Sequence, residues 1–122
     1  VRAAAIVIGS PDFLASRRVT LTTSLGSEAE ADRYLGPEIV ARYRPLTAID
    51  NVEKFAHLNL LALFGGKDTT VPPCGIEEFA AKWDAVKGPK GTLQQTLHGD
   101  APHRATPEME REWTAWFKKY LA

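Results

Sequence analysis

Residues 58 to 73, which read LNLLALFGGKDTTVPP, decide the fold of this chain. The run Leu58–Phe64 is short and almost entirely apolar, and Gly65 and Gly66 end it with a turn signal. Such a run is typical of a strand buried on both faces of a parallel sheet. The segment therefore predicts a buried strand that opens directly into a loop carrying Lys67 and Asp68.

Two other segments have strand character. Ala3–Ile8 is entirely apolar and is followed by Gly9 and Pro11, whereas Thr92–Leu97 is more polar and is expected nearer a sheet edge. Capping signals and apolar periodicity predict the helices, namely 27–35, 37–43, a short one from Asp50, 76–86 and one from Thr106 onward. This alternation of strands and helices is typical of a parallel α/β fold.

Composition excludes several classes of protein. The 122 residues suffice for one small domain, and 15 Lys+Arg balance 15 Asp+Glu. Without excess positive charge, we expect no nucleic-acid partner and no binding to an anionic membrane. The lone Cys74 excludes an intramolecular disulfide and a multi-cysteine zinc site. No apolar run approaches the roughly 20 residues of a membrane span.

In proteins with an open parallel sheet, functional residues lie in the loops that follow the carboxyl ends of the strands. In this chain those loops carry Ser10, Asp68, His98 and His103. Asp68 is also a common turn residue, and a loop histidine is usually only solvated. Residue type alone therefore leaves the role of these side chains open.

The order of these motifs resembles the C-terminal part of an α/β-hydrolase, of the esterase or prolyl-oligopeptidase kind. Residues 60–73 resemble that family's late strand, glycine turn and acid loop, which ends in Val-Pro. Residues 97–109 resemble the loop that carries the catalytic histidine, and residues 113–121 are similar to the closing helix. Residues 1–13 look like the strand that follows the nucleophile strand.

The resemblance implies an α/β fold with a partial parallel sheet of about three strands and flanking helices. Residues 1–122 would then form a single incomplete domain, with residues 14–57 as a cap-like helical insertion. It also implies a serine hydrolase cleaving an ester, thioester or peptide. Asp68 would be the acid that orients the histidine, and His103 would be the general base.

The family's nucleophile elbow, G-x-S-x-G, is missing from the chain. We therefore expect the serine to lie upstream of Val1, in a missing N-terminal segment of the same fold that acts as a partner. We expect no cofactor and no metal. Neither the substrate nor the compartment is identified, although the cytoplasm is slightly favoured.

Four other residues compete for catalytic roles. Ser24, followed by Leu25-Gly26, lies in a degenerate elbow after a stretch with strand propensity at residues 19–22, and it is the alternative nucleophile. His98 is the alternative base. Ser10 is a poor nucleophile because Ile8 and Asp12 replace the small residues of an elbow, and Cys74 is expected to be a packed side chain.

A second hypothesis is a non-catalytic α/β binding or regulatory module in which Asp68 and His103 are relics. The two hypotheses differ in the geometry that they require, because only a catalytic pair needs Asp68 and His103 within hydrogen-bonding distance. A flavodoxin-like enzyme is disfavoured because no Gly-rich phosphate loop opens a helix. A metal site built from His98, Asp100 and His103 lacks an obvious further ligand.

Overall fold

The computed structural model describes residues 2–121. Its sheet has three parallel strands in chain order, and these are β1 (Ala3–Val7), β2 (Asn59–Gly65) and β3 (Leu93–His98). Leu61 of β2 pairs with Ala5 on one side and with Gln94 on the other. The predicted α/β class and partial parallel sheet of about three strands are confirmed.

Residues 2–121 contain five α-helices. They are α1 (Phe13–Leu25), α2 (Glu28–Tyr34), α3 (Pro37–Tyr43), α4 (Ile76–Ala85) and α5 (Pro107–Leu121). Of these, α4 and α5 pack on the two faces of the sheet. Three single-turn 3₁₀ segments, Arg44–Leu46, Ala48–Asp50 and Val52–Lys54, connect α3 to β2. Residues 14–57 are thus largely helical, and their role as a cap stays a prediction.

Strand β2 is the centre of the core because it has a neighbour on each edge and helices on each face. Leu61 and Leu63 face α5, where they pack with Met109 and Trp116. The alternate side chains face α4, where Leu60 packs with Phe79 and Trp83. A run that alternates between two buried faces must be apolar throughout, which explains the composition of Leu60–Phe64.

Short polar residues set the helix boundaries. Asp12 caps α1 by accepting a hydrogen bond from the Ala15 N–H at 3.0 Å, and Gly26 ends that helix with φ = 91°. Ser27 caps α2 by accepting from the Glu30 N–H at 3.2 Å, as its capping-box sequence predicts. Because helix caps act locally, sequence can locate these boundaries.

One sequence-based expectation for this helical segment differs from the structure. The helix predicted from Asp50 is replaced by 3₁₀ turns on either side of Asn51, whose side-chain amide donates to the carbonyls of Arg44 and Thr47. The stretch at residues 19–22 lies inside α1 despite its strand propensity, within the segment predicted to be helical. In α1 the hydroxyl of Thr22 donates to the Arg18 carbonyl at 2.8 Å, so a β-branched residue is accommodated in the helix.

β1 has β2 as its only strand neighbour within residues 2–121. Ala3 is buried, and Ala4 to Val7 are half-buried. In the part of the chain that the structure describes, no helix has the length and apolar character to span a membrane.

Candidate functional site

Asp68 lies in the loop that leaves β2 at the carboxyl edge of the sheet. Its carboxylate is fully buried. Oδ1 accepts hydrogen bonds from the backbone N–H groups of Thr70 at 2.9 Å and Val71 at 2.8 Å. These bonds close an Asx turn and leave Oδ2 available for another partner. A buried charge needs such partners, because an unpaired carboxylate inside a protein is strongly destabilising.

His103 provides that partner. It lies in the loop between β3 and α5, where the Thr106 hydroxyl caps the helix by accepting from the Met109 N–H at 3.2 Å. The Nδ1 atom of His103 is 2.8 Å from Asp68 Oδ2. Two side chains that are 35 residues apart therefore meet at the carboxyl edge of the sheet.

This contact sets the chemistry of the imidazole. An ionised carboxylate can only accept, so Nδ1 of His103 carries the proton that it donates to Asp68. In the neutral ring, the lone pair is then on Nε2. The side chain of His103 is 39% exposed, whereas that of Asp68 is 0% exposed. The pair therefore combines a buried carboxylate with an imidazole that is accessible from solvent.

The two loops are held together by backbone contacts as well. The Gly66 N–H donates to the His98 carbonyl at 2.8 Å, and the Lys67 N–H donates to the Ala101 carbonyl at 2.9 Å. A Cβ on Gly65 would come within 2.6 Å of the Ala101 carbonyl oxygen. A Cβ on Gly66 would meet the Gly99 carbonyl oxygen at 2.5 Å. The diglycine is thus required for this close approach.

His98, the alternative base, has a different neighbour. Its Nε2 lies 2.8 Å from Glu112 Oε1 of α5, although the two groups are not aligned for a hydrogen bond. Its backbone carbonyl accepts from the N–H groups of both Gly66 and Ala101. His98 therefore supports the two loops through its backbone, while its side chain faces α5.

Ser10 lies in the loop between β1 and α1, where it bridges two loops. Its hydroxyl accepts from the Cys74 N–H at 2.9 Å and lies 3.2 Å and 3.1 Å from the carbonyl oxygens of Cys74 and Asp12. The Asp12 N–H also donates to the Cys74 carbonyl at 3.0 Å. Through these contacts, the Ser10 hydroxyl connects the loop after β1 with the loop that contains Cys74.

The Cys74 thiol is half-buried in the same region. Burial raises the pKa of this thiol, and the Asp12 carboxylate nearby raises it further. Because the thiolate is the reactive form of cysteine, a raised pKa disfavours nucleophilic chemistry.

Ser24 lies in the last turn of α1. Its hydroxyl is 3.5 Å from the Leu21 carbonyl oxygen, and the residues before it are helical. An elbow places the nucleophile on a strand-to-helix turn, and this environment is absent around Ser24.

The three polar side chains considered for a metal site have separate partners. His98 lies against Glu112, His103 against Asp68, and the exposed Asp100 pairs with Lys67 at 3.2 Å. Among the described residues, no three His, Cys, Asp or Glu side chains are arranged to hold a metal ion.

One backbone feature at this edge cannot be predicted from the sequence. Ile8, the residue after β1, has φ = 54°, and its N–H donates to the Leu63 carbonyl at 2.8 Å. A left-handed conformation is unusual for a β-branched residue and stores roughly 1–3 kcal/mol of strain. No sequence signal marks this position, because such residues normally avoid the conformation.

Comparison of the chain with protein families, curated proteins and solved structures finds no match. A function for this chain is therefore inferred from its own residues and their geometry.

Proposed function

We propose that Asp68 and His103 are the acid and the base of a serine hydrolase that cleaves an ester, thioester or peptide. On this proposal, the chain is the C-terminal part of an α/β-hydrolase. The observation that supports it is the 2.8 Å contact from His103 Nδ1 to a buried carboxylate. A histidine oriented in this way has the geometry of the acid–base pair in a Ser-His-Asp triad.

The proposed reaction is acyl transfer. Nε2 of His103 takes the proton of a serine hydroxyl as the serine oxygen attacks the carbonyl carbon of the substrate. The resulting imidazolium is stabilised by Asp68, and it then gives the proton to the departing oxygen, sulfur or nitrogen. Water repeats the sequence on the acyl-enzyme and regenerates the serine.

The serine is proposed to come from a segment of the fold outside residues 2–121. Ser10 and Ser24 are both engaged with backbone carbonyls, and neither has a histidine within hydrogen-bonding distance. The chain by itself should therefore show no turnover of activated esters above the buffer rate.

The experiment is hydrolysis of p-nitrophenyl esters by the protein expressed with all the sequence that its gene encodes. We expect His103→Gln and Asp68→Asn each to lower kcat by about 10³-fold or more, as in other triads. His57→Gln is the matched control, because His57 is an exposed histidine before β2. Unchanged kcat in His103→Gln, or a full loss only in His98→Gln, would contradict the assignment.

A non-catalytic module is the second candidate, and the Asx turn of Asp68 favours it. That turn needs only Oδ1. Asp68 would therefore stabilise the loop even in a protein that catalyses no reaction. Asp68→Asn preserves an acceptor for the turn, whereas Asp68→Ala removes it. If the native protein hydrolyses no ester and only Asp68→Ala changes its stability, the module is the correct assignment.

A further inference from the structure

A cavity lies in the helical segment between β1 and β2. It is formed by the first turn of α1, the end of α2 and the length of α3, and its volume is about 280 Å³. That is slightly below the roughly 300 Å³ at which pockets for drug-sized ligands begin. The volume therefore fits a compact molecule.

Aromatic side chains form much of its wall. Phe13, Tyr34 and Tyr43 line the cavity, yet they are 41%, 52% and 40% exposed, respectively. The rings of Phe13 and Tyr43 lie 6.1 Å apart and are tilted by 44°. These three aromatic rings line the cavity and are not buried in the core. They therefore offer a surface that can bind an apolar group.

Two arginines, Arg17 and Arg42, also line the cavity. Within residues 2–121 neither forms an ion pair, and the cavity has no acidic residue in its lining. The other arginines of this segment are paired with carboxylates: Arg18 with Asp32, Arg33 with Glu30 and Arg44 with Asp50. In this segment, the guanidinium groups without a carboxylate partner are thus at the cavity, and the one hydrogen bond of Arg17 is an exposed one from Nη1 to Thr20 Oγ1 at 3.3 Å.

We propose that this cavity binds a small organic oxyanion, a carboxylate or a phosphate attached to an apolar body about the size of one aromatic ring. The guanidinium groups would hold the anion through charge-assisted hydrogen bonds, and the rings would pack against the body. A ligand that carries both an apolar body and an anionic group would contact the aromatic rings and the arginines at the same time.

The location connects this cavity to the catalytic pair. Phe13 begins α1 immediately after the loop that leaves β1, so the cavity lies at the same end of the sheet as Asp68 and His103. The substrate would then be an ester, thioester or peptide with an anionic group remote from the cleaved bond. This last step rests on the proposed function, whereas binding to the cavity does not.

The test is titration of ¹⁵N-labelled chain with benzoate and phenyl phosphate, followed by amide chemical shifts. Benzyl alcohol supplies the ring without the charge, and acetate and inorganic phosphate supply the charge without the ring. We expect benzoate or phenyl phosphate to shift amides of α1 and α3, and to bind about tenfold more tightly than the partial probes. Comparison of these two ligands then identifies the anion.

Arg17→Gln and Arg42→Gln change exposed side chains and should fold normally. Each should weaken binding about tenfold, while Arg33→Gln, on the exposed face of α2, should not. Equal binding of benzyl alcohol, shifts confined to another surface, or full affinity in both variants would overturn the proposal. Because binding needs no catalysis, its failure is distinct from failure of ester hydrolysis.

If both proposals hold, Arg17→Gln should raise KM and leave kcat unchanged.

Discussion

Asp68 uses its two carboxylate oxygens for different purposes. Oδ1 accepts from two backbone N–H groups and shapes the loop after β2, while Oδ2 accepts from His103. The turn thus orients the carboxylate before the histidine contacts it. A sequence can show an aspartate in a turn, but it does not show which oxygen remains available.

The first prediction concerns the tautomer of His103. In Asp68→Asn, the side-chain oxygen can still accept from Thr70 and Val71, so the amide nitrogen faces Nδ1. That nitrogen can only donate, and the neutral ring must move its proton to Nε2. We expect the imidazole ¹⁵N shifts to report an Nδ1-protonated ring in the wild type and an Nε2-protonated ring in the variant.

Asp68→Ala is the control, because it removes both functions of the side chain. Loss of the turn should lower the free energy of unfolding by about 1–3 kcal/mol in urea titrations. A wild-type His103 with its proton on Nε2, or the same tautomer in the wild type and Asp68→Asn, would contradict the assignment.

The second prediction concerns Cys74. Burial and Asp12 raise the pKa of its thiol, so at any pH below that pKa the folded protein has less thiolate than the unfolded chain. Alkylation by iodoacetamide should therefore be slower in the folded protein, and its rate should rise at higher pH than in urea. Asp12→Asn keeps an N-cap and should move the profile slightly toward lower pH. Faster alkylation of the folded thiol near neutral pH would show that Cys74 is activated.

At the scale of elements, the diglycine Gly65-Gly66 at the end of β2 determines how closely the loop of Asp68 approaches the loop of His103. A Cβ at residue 65 would meet the carbonyl oxygens of Ala101 at 2.6 Å and Pro102 at 2.8 Å, next to His103. Backbone atoms cannot rotate away as a flexible side chain can. The loop that carries His103 would have to move instead.

Gly65→Ala should therefore destabilise the fold by about 1–3 kcal/mol and lengthen the contact between His103 and Asp68. Urea unfolding and the His103 ¹⁵N shifts measure the two effects. Gly99→Ala is a matched control in the same pair of loops, because a Cβ there meets nothing within 4 Å. Equal stability of the two variants would show that the close approach is not required.

The elements that sequence predicted correctly are those with local signals. The apolar run at residues 58–64 and the segment 92–97 match β2 and β3 to within one residue, and the cap of α2 is formed by Ser27. A regular helix does not form from Asp50, because the Asn51 side chain donates to the carbonyls of Thr47 and Arg44. Local side-chain to backbone hydrogen bonds of this kind compete with the helical pattern.

At the scale of the whole molecule, three parallel strands bring their following loops to one edge. That rule predicts that Asp68 and His103 lie at the same end of the sheet, and both do. The 2.8 Å contact could not be predicted from spacing, because it depends on the diglycine, the Asx turn and the cap of α5 together. The cavity with Arg17 and Arg42 was also missed, since it needs the packing of three helices.

One edge of β1 is not covered by another strand of the described residues. The α5 side chains nearby include the half-buried Trp113 and Phe117. Half-buried apolar side chains beside unpaired backbone groups form a surface that another strand can cover. On the proposed function, this is where the segment that carries the nucleophile would pair.

Covalent labelling of the nucleophile is the decisive experiment for the proposed triad. A fluorophosphonate reacts with a serine only where a base activates it, so the protein expressed from its complete gene should be labelled at one serine outside residues 2–121. Mass spectrometry locates the adduct, and His103→Gln should slow labelling by about 10³-fold or more while His57→Gln does not. No adduct, an adduct on Ser24, or an unchanged rate in His103→Gln would contradict the account.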